Sequence, residues 1–236
     1  MPLTIGSTST GPGIRYDLLP GTDFFGVAGS TIISTDNDAI RGNGSDHRVT
    51  VLGTVYGQGE DGIDLGSSAS DTNLQVDVMT GGSVGGYDDA IELFGYTMTV
   101  RNLGTVFGGY GVSFYGDNTS VAMLYNAGSI DAFLFAVYVS NDVALRLVNF
   151  GTIAGNTGSV TATGGNDRVI NRGLMVGDIM LTEGNDTFDN RGGRLEGEAA
   201  LGAGTDTFLA GGSSETVSGG ADLDTLDFRF SGGVTV

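Results

Sequence analysis

The side chains of this chain that can do chemistry are mostly carboxylates, and they recur at matching places. Asp167, Asp186, Asp206 and Asp224 each close a glycine-rich turn, in GGNDRV, EGNDTF, GAGTDTF and GGADLDTLDF, with Asn166, Asn185 and Asp222 beside them. Asp46, Asp71, Asp117 and Asp142 hold the corresponding turns earlier in the chain. A second group, Asp61, Asp64, Asp88, Asp89 and Glu92, preceded by Asp38, is confined to the early part. Oxygen-only sets of this kind suit a hard cation. Paired with a base they also suit proton transfer, and Arg41, His47, Arg101 and Arg146 are the candidates for that role. There is no cysteine and His47 is the single histidine, so thiolate nucleophiles, thiolate zinc sites and a triad needing a second histidine are excluded.

What must position these acids is a repeat. Val143–Asp167 holds three short runs of alternating apolar and polar residues, Ala144–Val148, Thr152–Ala154 and Ser159–Ala162, separated by Asn-Phe-Gly and Gly-Asn-Thr-Gly. Period-two alternation punctuated by Gly and Asn predicts strands joined by tight turns. The middle run recurs as Gly-Thr-Val at 53–55 and 104–106, Gly-Ser-Val at 82–84, Gly-Ser-Ile at 128–130 and Gly-Thr-Ile at 151–153. A third run follows each, for instance Gly-Ile-Asp-Leu at 62–65 and Ala-Ile-Glu-Leu at 90–93. A one-residue slip would turn each apolar set outward, so the shared register predicts stacked coils. Asn102, Asn126, Asn149 and Asn171 each precede the middle-strand glycine by two residues and Asn190 by three, and the five predict an amide ladder along one corner.

Stacking has an electrostatic consequence. Like charges at the strand spacing of ~4.8 Å repel by about 1 kcal/mol in water and ~3–4 kcal/mol at an effective dielectric near 20. The aspartates must therefore splay into solvent, accept backbone N–H groups or share cations.

After Thr163 the coils shorten and the acidic turns gain glycine. Gly219-Gly220-Ala221-Asp222-Leu223-Asp224-Thr225-Leu226, Gly202-Ala203-Gly204-Thr205-Asp206-Thr207-Phe208 and Gly184-Asn185-Asp186-Thr187-Phe188 resemble the RTX (hemolysin-type) calcium-binding nonapeptide G-G-x-G-x-D-x-U-x, with Asp222 where that family has Gly. The resemblance covers 163–236 and implies calcium as the cofactor, held at Asn166, Asp167, Asn185, Asp186, Asp206, Asp222 and Asp224, with Asp61, Asp64, Asp88, Asp89 and Glu92 as weaker candidates. Residues 29–162 resemble the N-x-G-x-I-x-G repeats of secreted bacterial β-helices.

Composition bounds the rest. Glycine makes up 43 of 236 residues, proline only 3, and the formal charge is −18 with ten basic residues, all arginine. Such a charge repels phosphate backbones, so nucleic acid is not an expected partner. No apolar run approaches the ~20 residues of a membrane span, and the first thirty residues lack the pattern of a signal peptide.

The expected fold is all-β: a single right-handed parallel β-helix of about nine to ten coils with three short strands each. An amino-terminal cap or arm at 1–28 precedes coils at 29–162 and shorter RTX-like coils at 163–236. The expected function is that of a non-catalytic calcium-binding module of a larger secreted or cell-surface protein, exported by a carboxy-terminal signal absent from this chain. Its expected partner is a polysaccharide or cell-surface glycan, and helix ends offer a route to oligomers. The alternative is a lyase or C5-epimerase module acting on an acidic glycan such as alginate or pectate, using Arg41, His47, Arg101 or Arg146.

Overall fold

Short strands rich in Val, Ile and Thr cannot each bury an apolar face alone, and here they bury it together by winding into one stack. The computed structural model describes residues 2–212, 214–229 and 233–235, and among these there is no helix. One face is an 11-stranded sheet running from Leu3–Gly6 to Thr225–Asp227, one strand per coil. The other two faces carry second and third strands, such as Thr152–Gly155 and Gly158–Ala162. Neighbouring coils pair in parallel on all three faces. This is the expected parallel β-helix.

The register is the one the repeats predict. Val106, Ile130, Ile153 and Met175 stack on one another in the second face, and Ile63, Ile91, Val112, Val137, Val160 and Ile179 in the third. All are buried, because alternation sends every second side chain of each strand into the interior. In two coils the second and third strands fuse, as Ser83–Phe94 and Thr105–Tyr115, and the first of these shifts register between Gly86 and Asp89.

The amino-terminal segment ends the stack as a coil of its own. Leu3–Gly6, Ser9–Gly11 and Tyr16–Leu18 pair with the corresponding strands of the next coil, and the Tyr16 and Phe24 rings meet at 4.9 Å. At the other end the shorter coils continue the same faces through Arg146–Arg168 and Ile153–Met175 pairing. Phe230–Gly232 and Val236 of the expected last block lie outside the described residues.

The amide ladder holds one corner. Nδ2 of Asn102, Asn126, Asn149 and Asn171 donates to Oδ1 of the next asparagine at 2.7–2.8 Å, and the five side chains are wholly buried. Oδ1 of Asn102, Asn149 and Asn171 also accepts the N–H two residues on, satisfying the turn. The ladder ends on a residue the repeat does not announce. Asn190 donates to the buried carboxylate of Glu215, which also takes the Gly211 N–H.

Candidate functional site

Two acidic columns run along the stack. The late one arises where Arg168, Thr187, Thr207 and Thr225 align, which sets Asp167, Asp186, Asp206 and Asp224 above one another immediately before their strands. In the four coils before them the same column is filled by Leu74, Met98, Ala122 and Leu145, all core residues, and before those by buried His47. The acids thus take over an interior position, and Asp167, Asp186 and Asp206 are 2%, 1% and 0% exposed.

Each carboxylate is half satisfied. Oδ1 of Asp167 accepts the Leu145 N–H at 2.7 Å, that of Asp186 the Asp167 N–H at 2.8 Å, and that of Asp206 the Asp186 N–H at 2.8 Å. Asp224 accepts the Asp206 N–H at 3.1 Å. The other oxygen, Oδ2, of Asp167, Asp186 and Asp206 is buried without a hydrogen-bond partner. Burial pushes Asp167 up to about 7 and Asp186 to about 8, and raises Asp206, against the lowering effect of the N–H bonds.

Outside this column, Asn166 and Asn185 form an exposed ladder whose amide oxygens accept the N–H groups of Asn185 and Thr205. The turn backbones lie directly on one another: a Cβ on Gly184 would sit 1.6 Å from the Gly165 carbonyl oxygen, at a φ of +128°. Asp222 projects from an exposed left-handed turn outside the buried row, near enough for its charge to help raise Asp206.

The eight-member row of turn aspartates read from the repeats divides in two. Asp46, Asp117 and Asp142 are exposed and Asp71 half-buried. Asp71 accepts the Ser67 N–H and Asp117 the Thr119 N–H, so both act as local caps. Of the eight, only Asp167, Asp186 and Asp206 turn fully inward, and Asp224 ends their row half-buried.

The early column occupies the corner between second and third strands. The Asp61 N–H donates to Asp38 Oδ1 at 3.2 Å, and the Asp89 N–H to Asp61 Oδ1 at 2.9 Å. On the third face Arg41, Asp64, Glu92, Ser113 and Tyr138 stack in one register. The register shift between Gly86 and Asp89 re-aims Asp89 toward this row. As a result one carboxylate oxygen from each of Asp61, Asp89 and Glu92 lies within 4.8 Å of the others.

This corner is more buried than a solvated acidic face. Asp38 and Asp89 are buried, Asp61, Asp64 and Glu92 half-buried, and Asp88 alone of the set is exposed. Burial first, and then the neighbouring acids, push Asp61 and Glu92 up to about 8. Asp64 rises to about 7 for the same reasons, with Arg41 opposing. Asp89 reaches about 6, held down by the hydroxyl of buried Ser113, which donates to its Oδ1. Tyr110 and Tyr115 are raised by burial and by Asp89. Ser113 is the member that sequence reasoning missed, although its register with Glu92 follows from the Val-Ser-Phe run.

The four candidate bases do not assemble. Arg41 neighbours Asp64 but pairs with Asp17 at 3.3 Å. His47 is wholly buried, with Nδ1 facing the Thr22 carbonyl and Nε2 the Asn43 carbonyl. Arg101 is exposed on the 11-stranded face, and Arg146 donates to the Asn166 carbonyl at 2.6 Å over the first of the late glycine-rich turns. No protein-family model, curated protein or solved structure matches the chain.

Proposed function

We propose that this chain is a non-catalytic calcium-binding β-solenoid module of a larger secreted or cell-surface protein, with a structural or adhesive role. One observation carries the reading: Asp167, Asp186 and Asp206 each bury a carboxylate oxygen that has no hydrogen-bond partner among the described residues. An orphaned buried acceptor costs on the order of 1–3 kcal/mol, and several stacked on one another form an unusual interior. A hard cation fits such atoms, since calcium takes only oxygen ligands and accepts carboxylates together with turn carbonyls. Asp167, Asp186 and Asp206 would supply the carboxylates, and the bound charge would offset both the burial and the mutual repulsion. Calcium would then couple to folding, because it binds the wound stack and not the open chain.

The test is thermal unfolding with calcium against a chelator, at pH 7.5. At calcium a hundredfold above its dissociation constant, each site adds about 2.7 kcal/mol to stability. An unchanged melting temperature and circular dichroism would defeat the proposal.

A second reading rests on the gathered oxygens of Asp61, Asp89 and Glu92, which supply a three-carboxylate corner for calcium in a lyase or epimerase acting on an acidic glycan. Arg41 is the one candidate base beside it. Incubation with alginate and pectate in calcium, followed by absorbance of unsaturated products and by NMR for epimerised residues, separates this reading from the first.

A further inference from the structure

A groove of about 760 Å³ opens beside the early acidic corner, and no part of the reading above uses it. Its walls are aromatic and its polar groups acidic. Tyr56 and Phe107 stand on coils two apart and lean across the coil between them, their rings stacked at 5.7 Å. Gly85 makes this possible, because a Cβ there would lie 2.4 Å from the Phe107 ring and 2.8 Å from that of Tyr56. At the next corner Gly108 and Gly109 leave a notch without side chains, with Tyr87 and Asp88 on one side and Phe133 on the other. Tyr87 and Phe133 are each 71% exposed, a costly place for two large rings in a single neighbourhood.

The chemistry of the lining selects the occupant. Asp88 and Asp131 are exposed and reach the groove, Asn156 adds an amide, and no basic side chain lines it. An anionic glycan would meet repulsion there. Aromatic faces combined with carboxylates are the setting in which an organic cation is held, by attraction to the ring faces and by charge. Tyr87 and Phe133 stand on coils two apart, their corners ~9.6 Å from one another, with the side-chain-free Gly108 and Gly109 on the coil between them. We propose that the notch between Tyr87 and Phe133 binds a small soluble quaternary ammonium ion, its positive charge complementing Asp88 and Asp131.

The test uses choline chloride as probe, titrated into the whole chain by calorimetry or NMR. Its uncharged isostere 3,3-dimethylbutan-1-ol and a neutral sugar, methyl glucoside, serve as parallel ligands. Choline is expected to saturate in the millimolar range and the isostere to bind at least about tenfold more weakly. Tyr87→Ala and Phe133→Ala should each weaken choline about fivefold and Asp131→Asn about threefold, with melting temperatures unchanged. Equal binding of choline and its isostere would reduce the groove to an apolar surface and overturn the proposal. Preference for methyl glucoside, no choline saturation below about 20 mM, or binding of phosphatidylcholine vesicles without binding of free choline would overturn it as well.

Discussion

The early and late acidic columns use the same connection and turn it in opposite directions. In the early column the donor N–H belongs to the later coil, Asp61 giving to Asp38 and Asp89 to Asp61. In the late column it belongs to the earlier coil, Asp167 giving to Asp186 and Asp186 to Asp206. The early acids meet outward-facing Glu92 at a corner and bring three carboxylates together. The late acids follow Leu74, Met98, Ala122 and Leu145 in one row, and Asp167, Asp186 and Asp206 each keep one oxygen alone in the interior. The side of the backbone on which an acid stands, more than its residue type or spacing, decides whether it shares a site or occupies one by itself. Asp189 supplies the contrast: it is just as buried, yet Arg172 and Arg191 both donate to it and hold its carboxyl well below the usual range.

The largest expected effect tests both columns together. Carboxyls raised to about 6–8 in the folded chain ionise near 4 once it unfolds, so the folded state binds more protons between those limits. Without calcium, the stability these groups contribute is therefore fully present below about pH 4 and is lost as pH rises from there through 6 to 8. Each group still protonated in the fold contributes at most about 1.4 kcal/mol per pH unit. Urea unfolding in chelator across that range measures the slope, and calcium should reverse it, with a larger increment at pH 8 than at pH 5, where protons compete for the same oxygens. A flat profile would mean that neither column is desolvated.

Next in size is the ladder that carries no charge. Asn149→Ala leaves the Gly151 N–H without its acceptor and interrupts the chain of amides on both sides. A loss of roughly 2–3 kcal/mol is expected, equal with and without calcium and flat with pH. A calcium-dependent loss would tie the amide corner to the late column and blur the distinction between them.

A paired substitution then separates the columns. Asn in place of either Asp186 or Asp61 keeps the oxygen that accepts the neighbouring N–H and removes the charge. Asp186→Asn should stabilise the chelated chain at pH 8 by about 1–3 kcal/mol and reduce the calcium increment. Asp61→Asn should flatten the pH profile by a similar amount and leave the calcium increment of the late coils intact. The same response from both variants would merge the two columns into one system.

Much of this was legible in the residues and some was not, for definable reasons. The middle-strand triplets fix faces and register because a slip would expose Val106, Ile130 and Ile153 together. The amide ladder follows from Asn two residues before the repeat glycines Gly104, Gly128, Gly151 and Gly173. The inward turn of Asp167, Asp186 and Asp206 is less visible, since turn aspartates at matching places, such as Asp117, are solvent caps. The missing signal is the column: Leu145 one coil earlier marks the site as interior. The gathering at Asp89 depends on an inserted register shift, Ser83–Phe94 being one bent strand, and no periodic pattern reports a bulge. The wide spacing of Arg41, His47, Arg101 and Arg146 reflects their three separate settings on the third face, in the interior and on the 11-stranded face.

The smallest effect is the most local. The buried Ser113 hydroxyl donates to Asp89 Oδ1 and is one of the influences holding that carboxyl lower than Asp61 and Glu92 beside it. Ser113→Ala removes the donor and almost no volume, so a cost of about 1 kcal/mol is expected. Its distinguishing sign is in titration. The Asp89 carboxyl should move above about 6, toward its two neighbours, while Asp167 in the late column stays where it is, as followed by carboxyl-carbon NMR. A stability loss with Asp89 unmoved would make Ser113 a packing residue. A shift that reached Asp167 would show the two columns to be coupled through the stack, against the independence their geometry implies.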